Sequence, residues 1–357
     1  MMPFSFTLPP ELNAVAPPER RGLRRDHVRM LVLDRRTGAV EHARFFELGH
    51  FLFPGDVLVL NNSRTIPAVL YGETDQEEKV EVRLHRRLGA DAWEVLLLSP
   101  AAPGVGALAA PGAGAPVRGA WLRFSGGLSA LITQRPATPP LRVLHFSHCC
   151  RDLTEELYRL GEPVRYEYIT QPWGLDYYQT VYASEPGSVE MPSAGRAFTW
   201  ELLLRLQRQG VGVGYLTLHA GLGYYGDDRF RKEPSASPEE FRIPAATAAL
   251  VNTARAEGRR VIAVGTTVVR ALEYAAAPDG RLSESTGWAD LYVGPGYRLR
   301  VVDGLLTGFH EPEASHLDML SAFVAPRLLR RAYGDAIRSG YLWHEFGDMN
   351  LIAAGAG

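Results

Sequence analysis

Residues 260–273 read RVIAVGTTVVRALE, and this stretch decides the fold class. The apolar run from Val261 to Val264 is typical of a buried strand, which Gly265 then breaks. Thr266 and Thr267 are suited to cap the helix that the following residues predict. A strand that ends in glycine and opens a helix directs backbone N–H groups and the positive end of the helix dipole toward a neighbouring group.

The same turn predicts a binding site for a carboxylate or a phosphate. Arg270 lies one turn into the helix, where its guanidinium can add a charge-assisted hydrogen bond. Gly265, Thr266, Thr267 and Arg270 are therefore candidate ligand-binding residues. An ordinary connection between a strand and a capped helix would give the same pattern, so the rest of the chain must separate the two interpretations.

Length and charge restrict the classes of protein that remain. A chain of 357 residues exceeds what one compact core normally holds, so we expect two domains or one domain with a large insertion. The formal net charge is −2 and the isoelectric point is near 6.6, so the chain as a whole does not attract nucleic acid. Any RNA binding would require a local basic patch.

The sequence predicts a cytoplasmic protein that holds no metal. No apolar stretch approaches the roughly 18 residues needed to span a bilayer, and the amino-terminal MMPFSFTLPPEL lacks the pattern of a signal peptide. The two cysteines, Cys149 and Cys150, are adjacent, and so form neither a disulfide framework nor a zinc cluster. We expect a monomer that does not contact a membrane.

Residues 1–64 and 151–357 alternate strands with helices, which predicts an α/β main domain. Residues 65–150 instead predict short strands without helices, which is typical of a small inserted barrel or sandwich. Its five strands are expected at Lys79–His85, Trp93–Leu98, Trp121–Phe124, Leu128–Thr133 and Leu141–Phe146. His85, His145 and His148 in this insert lack metal-ligand spacing and are interpreted as surface or packing residues.

The main domain carries the remaining predicted elements. Asp152 to Glu155 reads as a capping box for a helix that ends at Gly161. Strands are predicted at Val57–Leu60, Val213–His219, Asp290–Val293, Tyr297–Val302 and Leu305–His310, and helices at about 314–323 and 327–339.

Five loops follow predicted strands or lie between strand and helix, and they contain small residues, histidines and arginines. They are Asn61–Arg64, Gly187–Gly195, His219–Gly223, Gly265–Arg270 and Thr307–His310. Ligands of open α/β sheets bind at the carboxyl ends of strands, so we expect these loops to converge. Composition alone indicates an enzyme or a binding protein for a small anionic or zwitterionic ligand.

A series of motifs runs through nearly the whole chain in a fixed order. They are GDVLVLN at 55–61, YQTVYA at 178–183, PGSV at 186–189, LTLH at 216–219, residues 261–273, GPGY at 294–297, FH at 309–310 and FGD at 346–348. Together these motifs resemble the S-adenosylmethionine:tRNA ribosyltransferase-isomerases of queuosine biosynthesis. The resemblance implies an α/β domain with an inserted β-barrel-like domain. It also implies a reaction that joins the ribosyl part of S-adenosylmethionine to an aminomethyl-deazaguanine base in tRNA, with release of adenine and methionine.

The resemblance also suggests roles for individual residues. His219 and His310 are the candidate general acid/base residues, since the protons next to the sulfonium must be removed, and Arg64 is placed with them as catalytic. The turn at Gly265–Arg270 suits the methionine carboxylate. The substrate-binding candidates outside this turn are Tyr178, Tyr182 and Phe309, whose rings suit the sulfonium, together with Ser188 and Gly195.

The chain departs from the family pattern in the loops at strand ends. Ala197 replaces a histidine, and Glu190, Glu311 and Glu313 add negative charge that is expected to oppose a polyanionic partner. Two alternatives therefore remain open beside the family reaction. One is an enzyme that uses S-adenosylmethionine with another acceptor, or simply cleaves it. The other is a non-catalytic S-adenosylmethionine-binding protein.

Overall fold

The computed structural model describes residues 6–99, 107–108, 119–133, 140–166, 168–223, 237–312 and 315–355. Glu313, one of the three glutamates by which the chain departs from the family pattern, lies outside this part of the chain. The strands are β1 Arg29–Asp34, β2 Val40–Arg44, β3 Val57–Asn61, β4 Ser63–Thr65, β5 Val69–Thr74, β6 Lys79–Arg87, β7 Ala92–Ser99, β8 Ala107–Leu108, β9 Trp121–Phe124, β10 Ser129–Thr133, β11 Arg142–Phe146, β12 Glu185–Ser188, β13 Gly212–Leu218, β14 Glu239–Ile243, β15 Val261–Val264, β16 Ser285–Ala289, β17 Gly304–Gly308 and β18 Met349–Ala353. The helices are α1 Cys150–Leu160, α2 Trp200–Arg208, α3 Ala245–Ala256, α4 Thr266–Ala275, α5 Ser315–Phe323 and α6 Pro326–Arg338.

The main domain is built on a mixed sheet in the order β16-β14-β13-β3-β15-β17-β18-β1-β2. Its centre, β13-β3-β15-β17, is parallel throughout. The carboxyl ends of these four strands therefore meet at one edge of the sheet. Asn61 ends β3 at this edge, and the residues that directly follow β13, β15 and β17 there are His219, Gly265 and Phe309.

The central strands are apolar on both faces because helices cover both sides of the sheet. Side chains of β15 alternate between two hydrophobic clusters: Val261 and Ala263 pack on one face, Ile262 and Val264 on the other. Helices α3 to α6 contribute to the first cluster, and α2 contributes to the second. The apolar run of the opening stretch is thus a strand buried on both faces, as predicted.

The inserted segment forms a closed antiparallel barrel. Strands β5, β6, β7, β11, β10 and β9 pair in a ring, and the β7–β11 pairing closes it. Its core includes Leu153 and Leu157 of α1, so the helix that follows the barrel packs against it. The α/β class with a β-barrel-like insertion is confirmed, whereas the domain boundaries at 65 and 150 stay a prediction.

Two predicted strands, at 290–293 and 297–302, are wrong. Both segments are irregular, and β16 lies just before them at Ser285–Ala289. The backbone N–H groups of Arg300, Val301 and Val302 instead donate to the buried carboxylate of Glu273, at 2.9 to 3.0 Å. A side chain therefore takes the donors that a strand would offer to its neighbour.

Two predicted helix caps are also wrong. Gly265, not a threonine, is the N-cap of α4, and Thr266 and Thr267 are its first two residues. Gly265 has φ of +96°, a conformation that residues with a Cβ rarely adopt, which explains the glycine. Helix α1 begins at Cys150, two residues before the predicted capping box, without a side-chain cap. Among the helices of the described chain, none is both long and apolar enough to cross a membrane.

Candidate active site

A cleft of about 730 Å³ lies between the carboxyl edge of the parallel strands and the barrel. Its volume falls in the range of roughly 300–1,000 Å³ that is usual for small-molecule sites. The sheet contributes His219, Gly265 and His310 to its wall, and the barrel contributes His85 and Trp93. Four of the five loops that the sequence predicts to converge contribute residues to this cleft, whereas the Asn61–Arg64 loop contributes none.

His219 follows β13 and is fixed by two neighbouring loops. Its Nδ1 shares a hydrogen bond of 2.7 Å with the hydroxyl of Ser63. A Cβ added at Gly187 would lie 2.6 Å from the imidazole, so only glycine allows this close approach. Burial lowers the pKa of His219 below its ordinary value, so the imidazole is neutral near pH 7 and can accept a proton.

His310 follows β17 and lies against a second histidine. Its ring stacks on that of His316 with centroids 4.6 Å apart, and its Nε2 is 3.0 Å from the Thr307 hydroxyl. Burial, together with the charges of His316 and His344, lowers the pKa of His310 well below its ordinary value. Burial also lowers the pKa of His316 to about 4. No sequence pattern marks His316 as a site residue, because it reaches His310 only when α5 packs beside the end of β17.

The amino-terminal turn of α4 opens on the cleft, with Gly265, Thr266, Thr267 and Arg270 in its wall. The amide of Asn61 donates to the Thr267 hydroxyl at 3.3 Å and links this turn to the end of β3. The N–H of Gly265 itself donates to the Leu306 carbonyl at 2.8 Å and is therefore already used. The anion site that the sequence predicts is thus limited to the first helical turn.

Arg270 is engaged within the protein. Its Nη1 donates to the Glu239 carboxylate at 2.6 Å, and its buried Nε has no partner within the described chain. Glu239 belongs to β14 and also faces the cleft. The charge of Arg270 is therefore already paired with a carboxylate of the protein. Its position along the helix does not reveal this pairing, because Glu239 lies on a separate strand.

The other predicted site residues divide into two groups. Tyr178 and Phe309 line the cleft. Arg64, Tyr182, Ser188 and Gly195 do not. Tyr182 packs in the core between Phe198 and Tyr215, and the Ser188 hydroxyl accepts the Ala220 N–H at 3.0 Å, which holds the loop after His219.

The cleft also contains a group of acidic and aromatic residues that sequence patterns hardly indicate. The sequence marks Glu190 only as a departure from the family pattern, and nothing local marks Glu345, the glutamate before Phe346, as a site residue. Both line the cleft together with Tyr166, Tyr168 and His344. Tyr166 and Tyr168 meet His344 and Glu345 only when the segments that hold them pack side by side.

His85 is a packing residue, one of the two alternatives that the sequence offers for it. It is buried in the cleft wall, and its Nδ1 accepts the Leu222 N–H at 3.0 Å, so it ties the barrel to the loop after His219. Groups of three or more His, Cys, Asp or Glu suited to a metal do not occur in the described ranges.

The arrangement places the neutral imidazoles of His219 and His310, a helix amino terminus and several carboxyl groups in one cleft. Neutral imidazoles suit proton removal, and a helix amino terminus suits an anion. This set can carry out proton transfer on a ligand that has both an anionic and a cationic part.

Comparison with known proteins gives a consistent result. The sequence profile of the family described as "Queuosine biosynthesis protein" matches residues 1–352. The S-adenosylmethionine:tRNA ribosyltransferase-isomerase of Moorella thermoacetica is 40% identical over 355 residues, which cover 98% of each chain. The protein of the same name from Trichlorobacter lovleyi is 38% identical over 354 residues, again 98% of each chain.

The same relationship holds among solved structures. The crystal structure of S-adenosylmethionine tRNA ribosyltransferase from Thermotoga maritima superimposes with a TM-score of 0.54 at 30% identity. The match covers 98% of this chain and 99% of that one.

Proposed function

The chain belongs to the queuosine biosynthesis protein family, and we propose that it is an S-adenosylmethionine:tRNA ribosyltransferase-isomerase. In this reaction it transfers and isomerises the ribosyl part of S-adenosylmethionine onto an aminomethyl-deazaguanine base in tRNA, releasing adenine and methionine. The donor is a substrate, and the proposal assigns no metal. The protein would act where tRNA is found, in the cytoplasm.

The observation that carries the proposal is the convergence of His219, His310 and the α4 amino terminus on one cleft. The reaction requires a base near the sulfonium and a site for the methionine carboxylate. Both requirements are served by side chains and backbone from separate loops, which supports a shared substrate site. Full-length similarity to enzymes of this name supports the same conclusion.

The two histidines are proposed as bases. Because burial lowers the pKa of both His219 and His310, each is unprotonated near neutral pH. The Ser63 hydroxyl bonded to His219, and the Thr307 hydroxyl bonded to His310, fix the orientation of each ring. Near pH 7 neither imidazole carries the proton that a general acid would need.

The donor is proposed to lie across the β15–α4 turn. The first-turn N–H groups of α4 and the helix dipole favour the methionine carboxylate there. Phe309, which packs 4.7 Å from the Trp343 ring and lines the cleft, offers a ring to the sulfonium. Arg64, Tyr182, Ser188 and Gly195 would support this site from behind rather than touch the donor.

Adenine release is the direct test. The purified protein is incubated with S-adenosylmethionine alone, with unmodified tRNA, and with tRNA that carries the aminomethyl-deazaguanine base. We expect adenine only in the third reaction. Adenine without tRNA would contradict the proposed acceptor, and S-adenosylmethionine binding without adenine in any reaction would contradict catalysis.

Replacing the histidines separately tests the two bases. We expect His219→Ala or His310→Ala to lower kcat by about 10²- to 10⁴-fold, the usual contribution of a general base. S-adenosylmethionine affinity should change far less. His145→Ala, at an exposed barrel position beside Asp91, is the matched control and should leave turnover unchanged. Unchanged turnover in both active-site variants would contradict the assignment.

A further inference from the structure

Three aromatic rings form a stacked column in the wall of the cleft. The rings of Tyr166 and Tyr168 are 5.8 Å apart and within 7° of parallel. The Tyr168 ring in turn lies 4.0 Å from the His344 ring, at an angle of 16°. The Nε2 of His344 lies 2.6 Å from the Asn13 amide oxygen, which fixes the end of the column. Flat, parallel rings of this kind bind other flat rings by stacking.

Each tyrosine of the column is hydrogen-bonded to a glutamate. The Tyr166 hydroxyl hydrogen-bonds to Glu190, and the Tyr168 hydroxyl hydrogen-bonds to Glu345. Glu190 also accepts the Gly223 N–H at 2.6 Å. Both carboxyl groups are partly buried and line the cleft. The column is therefore edged by two oriented acceptors.

Among the residues that the structure describes, no cationic side chain is paired with Glu190 or Glu345, whereas other buried carboxylates have such a partner. Burial raises the pKa of Glu190 to about 7 and that of Glu345 to about 7, and the charge of a neighbouring glutamate adds to both shifts. Asp56, by comparison, is paired with Arg260. An incoming cation would stabilise both carboxylates by supplying the missing positive charge.

An independent observation at the same place is the hydroxyl of Tyr178. Its side chain is 3% exposed and lines the cleft, yet within the described chain this hydroxyl has no hydrogen-bond partner. The charge of Glu345 acts on Tyr178, so the two lie near each other. A buried hydroxyl without a partner costs free energy unless a ligand supplies one.

We propose that Glu190, Glu345, Tyr178 and the Tyr166–Tyr168–His344 column form the subsite for the acceptor base, a planar heterocycle that bears a primary ammonium group and several N–H donors. The base stacks against the column, and the two carboxylates accept from its ammonium and N–H groups. The assignment rests on the proposed function for the identity of the acceptor. Under this assignment the Glu190 carboxylate binds the acceptor base, whereas the sequence alone suggests that its charge opposes a polyanionic partner.

Binding of the free base tests the subsite without turnover. The probes are free aminomethyl-deazaguanine and deazaguanine, which share the ring system but differ in the ammonium. Calorimetry measures both against the wild-type protein and the variants Glu190→Gln, Glu345→Gln and Tyr178→Phe. Glutamine keeps an acceptor for Gly223 or Tyr168, so these variants remove charge with little change in shape. Glu257→Gln, at the exposed end of α3, is the control.

We expect the wild-type protein to bind the aminomethyl base more tightly than deazaguanine. Each glutamine variant should lose roughly 10- to 100-fold in affinity for the aminomethyl base, as is usual for a charge-assisted hydrogen bond. Tyr178→Phe should lose affinity for both bases, and S-adenosylmethionine affinity should stay unchanged throughout. Equal affinity of the wild-type protein for the two bases, or no detectable binding of either, would overturn the subsite.

Adenine release separates this inference from the function on which it rests. If the wild-type protein turns over modified tRNA but Glu190→Gln and Glu345→Gln leave the KM for that tRNA unchanged, the subsite is wrong and the function stands. The opposite result is also informative. If the wild-type protein binds the aminomethyl base but releases no adenine, and if Glu190→Gln and Glu345→Gln each weaken that binding, the subsite stands and the function is wrong.

Discussion

At the scale of single residues, burial acts in opposite directions on the two kinds of titratable group in the cleft. It lowers the pKa of His219 and His310 and raises the pKa of Glu190 and Glu345, because in each case the charged form loses solvation. The histidines are therefore bases near pH 7, and the glutamates are close to half protonated. A ligand that carries a positive charge would therefore stabilise the ionised form of both glutamates.

The raised pKa of Glu190 predicts how the free energy of unfolding depends on pH. Its pKa rises from 4.5 to about 7 through burial, with smaller effects from Glu345 and Glu239, so the folded protein holds a proton that the unfolded chain releases between these values. Stability from this group is complete below about pH 4.5 and is lost as the pH rises toward 7. Glu190→Gln should therefore gain about 1–3 kcal/mol over the wild-type protein at pH 8 and little at pH 4.5.

Urea unfolding at the two pH values measures this difference. Glu257→Gln controls for loss of one exposed carboxylate and should follow the wild-type profile. A constant difference between Glu190→Gln and the wild-type protein across the range would show that Glu190 has an ordinary pKa.

At the scale of elements, the sequence predicts most of what apolar periodicity can specify. The β15–α4 unit and the barrel strands β9, β10 and β11 lie within a residue or two of their predicted positions. The segment at 297–302 has the same strand-like alternation but is not a strand. Its backbone donors are taken by Glu273, a residue of α4 that no local pattern connects to it. Hydrogen bonds between a side chain and a backbone segment more than 25 residues away cannot be predicted from a local stretch of sequence.

Glu273 should accordingly stabilise the fold strongly. Its carboxylate is fully buried and accepts the N–H groups of Arg300, Val301 and Val302. Glu273→Ala would leave these donors without an acceptor, and we expect a loss of about 3–5 kcal/mol in the free energy of unfolding. Glu273→Gln keeps one acceptor oxygen and should lose less. Glu257→Ala, on the exposed end of α3, should change stability by no more than about 0.5 kcal/mol.

Denaturant unfolding followed by circular dichroism provides the measurement. A loss below about 1 kcal/mol for Glu273→Ala would mean that the 297–302 segment finds other acceptors and that Glu273 does not organise it.

At the scale of the whole molecule, the sequence predicts one half of the candidate site better than the other. The strand-end loops converge because β13, β3, β15 and β17 are parallel, and parallel order follows from alternating strands and helices. The wall that holds Glu190, Glu345 and the tyrosine column depends instead on irregular segments packing together. Such packing follows no sequence period, so this wall of the cleft becomes visible only in the structure.

The overall charge of −2 makes the location of positive charge decisive for a tRNA partner. Arg20, Arg21, Arg24 and Arg25 cluster in the amino-terminal segment. Arg20 lies over the Trp173 and Tyr177 rings at 5.9 and 5.2 Å, and Arg21 donates to the Phe346 carbonyl at 2.7 Å, directly after Glu345. This arginine cluster therefore adjoins the proposed acceptor subsite.

We expect this arginine cluster to contact tRNA phosphates. Arg20 and Arg24 are its exposed members, and removing both in Arg20→Ala/Arg24→Ala should weaken tRNA binding and reduce the slope of log affinity against log salt by about 1.5–2. Binding of the free aminomethyl base and of S-adenosylmethionine should not change, because neither ligand carries the phosphate chain. Arg36→Ala is the control, because Arg36 is exposed on the β1–β2 turn. Strand β1 runs opposite to the central strands, so this turn lies at the edge of the sheet opposite to the cleft. Filter binding of tRNA between low and physiological salt gives the slopes. Identical slopes for the double variant and the wild-type protein would show that tRNA reaches the cleft over a different surface.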